Sequence, residues 1–188
     1  MWYPPTVTIA AASEPVTSAQ VKTQCRIDDA DSDDLITRFI AAARATVESR
    51  CGIRLITQTL AIKCDQFRDL CHLPFGPVQS ITSIQYVDAN GDTQTLATSV
   101  WELRADGLDA AVVLENGQSW PSIQTGSRVV VTVIVGFSTV PADLIQAILL
   151  LIAGWFENRE EVVMGVAVAN LPESVGVQSI LANHRLGP

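Results

Sequence analysis

Charge is what this sequence has least of. Only 17% of its 188 residues are charged while 48% are hydrophobic, against roughly 25% charged in an ordinary soluble domain. Too little charge to clothe an apolar surface implies that part of that surface is covered, and we read the chain as an oligomer. Basic residues are the scarcer half: 12 Lys and Arg against 20 Asp and Glu leave a formal charge of −8. Without a basic run to neutralise successive phosphates, a protein that grips nucleic acid is excluded, although an acidic one can surround it. Histidine occurs twice, at His72 and His184, and no serine sits in a G-x-S-x-G turn, so a hydrolase has few residues to build on. Neither G-x-x-x-x-G-K-[ST] nor G-x-G-x-x-G is present to cradle a phosphate. Cys25, Cys51, Cys64 and Cys71 form no C-x-x-C pair, and Met1 to Ala12 has two prolines and no basic leader. Reduced thiols in a cytoplasmic product follow, with no cofactor and no metal. The most apolar stretch, Leu144 to Phe156, falls short of the roughly 20 residues that span a bilayer, so no membrane is expected.

What is present is a change of period along the chain. Thr17 followed by Gln20 has capping-box spacing and predicts a short helix over 18–25. Ser32, Asp33 and Asp34 open a second helix that Gly52 closes, with Leu35, Ile36, Phe39, Ile40, Ala43 and Val47 along one face. From Ile56 the period becomes two, in Gln58 to Lys63 and again through Ile81, Ile84, Tyr86 and Val87. Asn90-Gly91 predicts a type I′ hairpin turn. Further strands are expected at 100–104, 111–114 and 128–135, the last apolar on both faces and so covered on both sides. Pro141 and Asp143 open another helix to about Arg159, apolar nearly all round as if buried on several sides. A last helix is expected from about Glu173 to His184. The order helices, strands, helices predicts an α+β protein: a helical body from 13–55 and 138–188, an inserted antiparallel β domain at 56–137, and an N-terminal arm at 1–12.

Three clusters invite a chemical reading. Asp29, Asp31 and Asp33 have calcium-loop spacing, but that loop's sixth position holds Asp34 and its twelfth Ile40, so a helix-capping acidic turn is preferred. Cys64, Cys71 and His72 lack a fourth metal ligand nearby. Glu157, Arg159, Glu160 and Glu161 read as the solvated exit of a helix, and Trp2, Trp101, Trp120 and Trp155 as core or interface anchors.

A resemblance takes over where these readings stop. Glu14-Pro-Val-Thr17 leading into Lys22, Arg26-Ile-Asp28 and Asp33-Asp34-Leu-Ile36 resembles the start of the head-tail connector, or adaptor, proteins of tailed bacteriophages and gene transfer agents. Leu55 to Thr59, Leu73-Pro-Phe-Gly-Pro-Val-Gln-Ser-Ile81, Tyr86 to Gly91, Gln146 to Leu150, Trp155 to Arg159 and the closing helix through Arg185 continue it in order. The resemblance implies a longer form of that family with a β insertion. It implies a non-enzymatic virion subunit, assembled in the host cytoplasm, forming a twelve-fold ring under the portal to match it. A tail or stopper protein would bind the other side, and the genome would pass through the lumen without sequence-specific contact. Leu149, Trp155, Phe156, Leu171, Val177, Ile180, Leu181 and Arg185 are the expected subunit or portal interface. Deleting 173–188 is expected to abolish portal binding and spare the fold. Another tail-completion protein, a small hydrolase and a monomeric binding module stand as alternatives.

Overall fold

A computed structural model describes residues 1–28, 31–158 and 175–187. The chain divides into two compact units, one built from 13–51 and 139–185, the other from 1–12, 52–138 and 186–188.

The first unit is helical. Helix α1 (Ser18–Cys25) starts with both bonds of the expected capping box: the Gln20 amide donates to Thr17 Oγ1 at 3.3 Å and the Thr17 amide to Gln20 Oε1 at 2.8 Å. It stops at Arg26, whose left-handed φ of 55° lets the Ile27 amide donate back to the Lys22 carbonyl. Helix α2 (Asp33–Cys51) buries Ile36, Ile40, Ala43, Val47 and Cys51, leaving Leu35 and Phe39 half-buried at the margin. Gly52, at φ 69°, provides the left-handed stop. The acidic turn works as a helix start: Asp33 lies in the first turn and pairs with Lys22, while Asp29 falls outside the described residues.

Helix α3 (Ala142–Glu157) packs against α1, α2 and helix α4 (Val175–Asn183). Helices from both ends of the sequence therefore meet in one body. Only one side of α3 is fully enclosed, by way of Leu144, Ala147, Ile148, Leu151 and Ile152. Ile145, Leu149, Leu150, Ala153 and Phe156 stay half-buried, which corrects the expectation of burial on several sides: three neighbours do not encircle a helix of this apolarity.

The second unit is the β unit. Strands β1 (Thr6–Ile9), β2 (Gln58–Cys64), β3 (Val78–Val87), β4 (Thr93–Thr95) and β7 (Val129–Val135) form an antiparallel sheet in the order β1-β2-β7-β3-β4. Strands β5 (Trp101–Asp106) and β6 (Asp109–Leu114) make a separate hairpin. A short 3₁₀ helix spans Phe67–Cys71. The hairpin and sheet share one core of Leu60, Ile62, Phe67, Ile84, Trp101, Val112 and the odd-numbered valines of β7. Central β7 was expected to be covered on both faces. Val129, Val131, Val133 and Val135 are buried in the β core, but Val130, Thr132 and Ile134 on the opposite face are only half-buried, which corrects that expectation.

The hairpin at Asn90-Gly91 exists with a different turn. Asp88 and Asp92 close a three-residue loop in which only Gly91 has positive φ, at 93°, and Gly91 donates to the Asp88 carbonyl. This is a turn followed by a glycine bulge, not type I′. The Asp88 carboxylate explains the choice. It accepts from the amides of Asn90 and Asp92 at 2.9 and 3.1 Å and from the Gln94 side chain, and the Asp92 amide foremost holds its pKa below the usual carboxylate range.

Candidate assembly interface

The side chains a partner could reach on the helical unit begin with the half-covered stripe of α3. Ile145, Leu149, Ala153 and Phe156 recur at steps of three and four and so share one face. Trp155 lies off that stripe and meets Phe39 edge-on, ring centroids 5.9 Å apart. Of the expected interface residues, Leu149, Trp155 and Phe156 are thus half-buried on one helix.

Helix α4 divides the rest. Val177 and Leu181, four residues apart, are 2% and 1% exposed and form its inner face; Ile180 is half-buried and Arg185 exposed. Leu171 lies outside the described residues. The burial of Val177 and Leu181 overturns the expectation that residues 173–188 can be removed without cost to the fold, because that deletion would strip a core face from α3 and α2.

Two polar clasps that were not anticipated tie α4 to the rest of this unit. The Cys51 thiol approaches the Leu181 carbonyl at 3.5 Å. At the exposed end of α4, His184 Nε2 lies 2.6 Å from Asp143 Oδ2, tying the last turn of α4 to the first turn of α3. The contact with His184, foremost its hydrogen bond, holds the Asp143 carboxyl below its ordinary pKa. A carboxyl whose pKa is depressed by folding stabilises the fold above its unfolded value, and that contribution is lost as pH falls through the lowered folded value. Replacing His184 with glutamine is therefore expected to move the Asp143 midpoint up toward the ordinary carboxylate value, read by NMR titration of its side-chain carbon. An unmoved midpoint would mean that His184 does not act on it.

Farther along α2, Arg44 forks onto Glu14, its Nε donating at 2.7 Å and its second guanidinium nitrogen at 3.1 Å, while Glu48 stands 3.7 Å away one turn on. Glu14 is the first residue of the Glu14 to Thr17 stretch, so that stretch is anchored to α2 as well as capping α1. Only the Arg44–Glu48 spacing is visible in sequence; the 30-residue reach to Glu14 is not.

The other candidate chemistry does not converge. Cys64 is buried in the β core, where desolvation pushes its thiol up to about 12. Cys71 is exposed, and it and His72 border an open surface depression with Asp106 and Asp109. Among the described residues no group of three or more His, Cys, Asp or Glu is placed to hold a metal ion. None of their helices is long and apolar enough to cross a membrane. Trp101 is a core residue of the β unit, with Trp2 and Trp120 packed at its edge.

A family described as phage gp6-like head-tail connector proteins matches residues 17–91. Solved chains from gene transfer agent particles match over nearly the whole length. One from the neck of an empty particle computed with C6 symmetry is 25% identical with a TM-score of 0.76, covering 99% of this chain and 97% of that one. Another, from the virion of a native particle, is 26% identical with the same TM-score and coverage. A third, from a native neck computed with C12 symmetry, is 26% identical with a TM-score of 0.64 over 96% of each chain. No curated protein matches. All three matched chains are components of gene transfer agent particles. Over residues 17–91 the chain is similar to the head-tail connector family, and its β unit continues past that matched region through β5, β6 and β7.

Proposed function

We propose that this chain is a ring-forming subunit of the head-tail junction of a tailed phage or gene transfer agent, without enzymatic activity, seated between a portal and a tail or stopper protein. The observation that carries the reading is the end-to-end match, through both units, to a chain of a symmetric particle neck. Lateral neighbours in the ring would cover the α3 stripe of Ile145, Leu149 and Phe156, removing apolar surface that one copy leaves half-exposed. Twelve copies would match the portal. A net charge of −8 suits a lumen through which phosphate slides without sticking. The exposed side of α4, with Ile180 and Arg185, is our choice for the portal contact.

The test is light scattering on a sizing column, with the chain alone and mixed with its cognate portal, and negative-stain imaging of any large species. Rings, or comigration with portal, are expected; a monomer indifferent to portal would sink the reading. Because Val177 and Leu181 are core residues, the portal contact is best probed with Arg185→Glu, which leaves that core untouched. Comigration that survives this change unweakened would move the contact elsewhere.

A further inference from the structure

The large hydrophobic side chains that stand exposed among the described residues lie at one end of the chain: Met1, Val7 at 51% and Ile9 at 64%. Val7 and Ile9 belong to β1, all four of whose residues are exposed. This strand pairs with β2 along one edge and ends the sheet on the other. Natural sheets keep such edges from pairing with strangers by placing charges on them, and Thr6-Val7-Thr8-Ile9 has none. Its register slips once between Val7 and Ile9, where the Thr8 hydroxyl donates to the Thr59 carbonyl at 3.1 Å, so the strand is anchored rather than frayed.

We infer that the outer edge of β1, with Val7 and Ile9, is a contact surface for the neighbouring copy of this chain in the connector ring. The inference rests on the ring-forming reading above and adds where one lateral contact lies. A closed ring needs heterologous contacts, in which the surface offered on one side differs from the surface that receives it on the other. The sheet meets that condition. Its two ends are unlike: β1 is apolar, whereas β4 at the opposite end is Thr93-Gln94-Thr95, exposed and also uncharged. A sheet with two identical apolar ends would invite back-to-back pairs instead. Burying Val7 and Ile9 against the next copy removes the most exposed aliphatic side chains described and satisfies edge amides that otherwise face water.

The experiment compares the wild-type chain with the double variant Val7→Asp/Ile9→Asp, and with the milder Val7→Thr/Ile9→Thr, each alone and mixed with portal. Assembly is read by light scattering and amide exchange by mass spectrometry. Both variants should fold, since the changed side chains are exposed, and unchanged circular dichroism checks this. Wild type is expected to assemble, with exchange across residues 6–9 slowed at least about tenfold in the assembled species. The Asp variant should assemble at least about tenfold more weakly and the Thr variant between the two. Should the folded Asp variant assemble like wild type, or residues 6–9 exchange equally fast in the ring, the inference fails and the connector reading stands. Should wild type neither assemble nor bind portal, the connector reading fails and takes the inference with it.

Discussion

Replacing Gly76 with alanine is expected to cost about 3 kcal/mol or more of stability, the upper range for forcing an added atom into a packed site. A Cβ at this position would stand 2.0 Å from the Leu108 carbonyl oxygen and 2.9 Å from its carbon. Those are backbone atoms in the two-residue turn between β5 and β6, so no side chain can swing aside. Retreat on the other side is closed as well, since the Arg54 amide donates to the Gly76 carbonyl at 2.8 Å and Ile53 bridges to Gly76. Gly76 is thus the point where the segment leading out of α2, the stretch before β3 and the β5–β6 turn meet, and its missing side chain is what permits the approach. Urea unfolding measures the effect. Gly154→Ala is the matching control: nothing lies within 4 Å of its added Cβ in the interior of α3, so it should stabilise by about 0.5–1 kcal/mol. Equal effects of the two changes would refute the steric account.

Truncating Leu181 to alanine is the second large effect, at about 2–5 kcal/mol for a fully buried leucine. Leu181 is 1% exposed, and its carbonyl is the one that the Cys51 thiol approaches, so the loss falls where α4 rests on α2 and α3. Ile180, one residue earlier and half-buried, should cost less than about 1 kcal/mol when shortened to valine. The contrast is readable by thermal unfolding together with amide exchange in α4. If the two substitutions cost the same, α4 does not dock through Val177 and Leu181. The outcome also bears on function, because it separates a helix whose inner face builds the body from one held in reserve for the portal.

Residues whose meaning is local were legible in the sequence. Thr17 and Gln20 satisfy each other across one turn, so a three-residue spacing announced α1 to the residue. The α2 stripe announced its buried face in the same way, and alternation in 58–63 and the two-faced apolar run at 128–135 announced two strands that pair along their whole length. The Asn90-Gly91 hairpin was legible only in part. Which turn formed depended on the Asp88 carboxylate gathering two amides, and turn type is a competition among hydrogen bonds that dipeptide preference does not settle. Strand β1 was passed over as an arm. Two prolines precede it and four residues make a weak pattern, so pairing with β2, more than 50 residues away, is what makes it a strand.

The interface residues divide on the same principle. Leu149, Val177, Ile180 and Leu181 look alike in sequence, each an aliphatic residue on an amphipathic helix. Three neighbours around α3 and two around α4 send Val177 and Leu181 inward and leave Leu149 and Ile180 partly in water. By itself the sequence determined the class of fold, the positions of its helices and main strands, the excess of apolar surface and the acidic charge. Those follow from composition and from periods of 3.6 and 2, which are properties of short stretches of chain. Only the tertiary structure decided that Gly76 must lack a side chain, that Arg44 reaches Glu14, that His184 clasps Asp143, and which apolar residues stay partly exposed. Each depends on segments far apart in sequence coming within a few ångströms, and burial is a property of that arrangement, not of the residue.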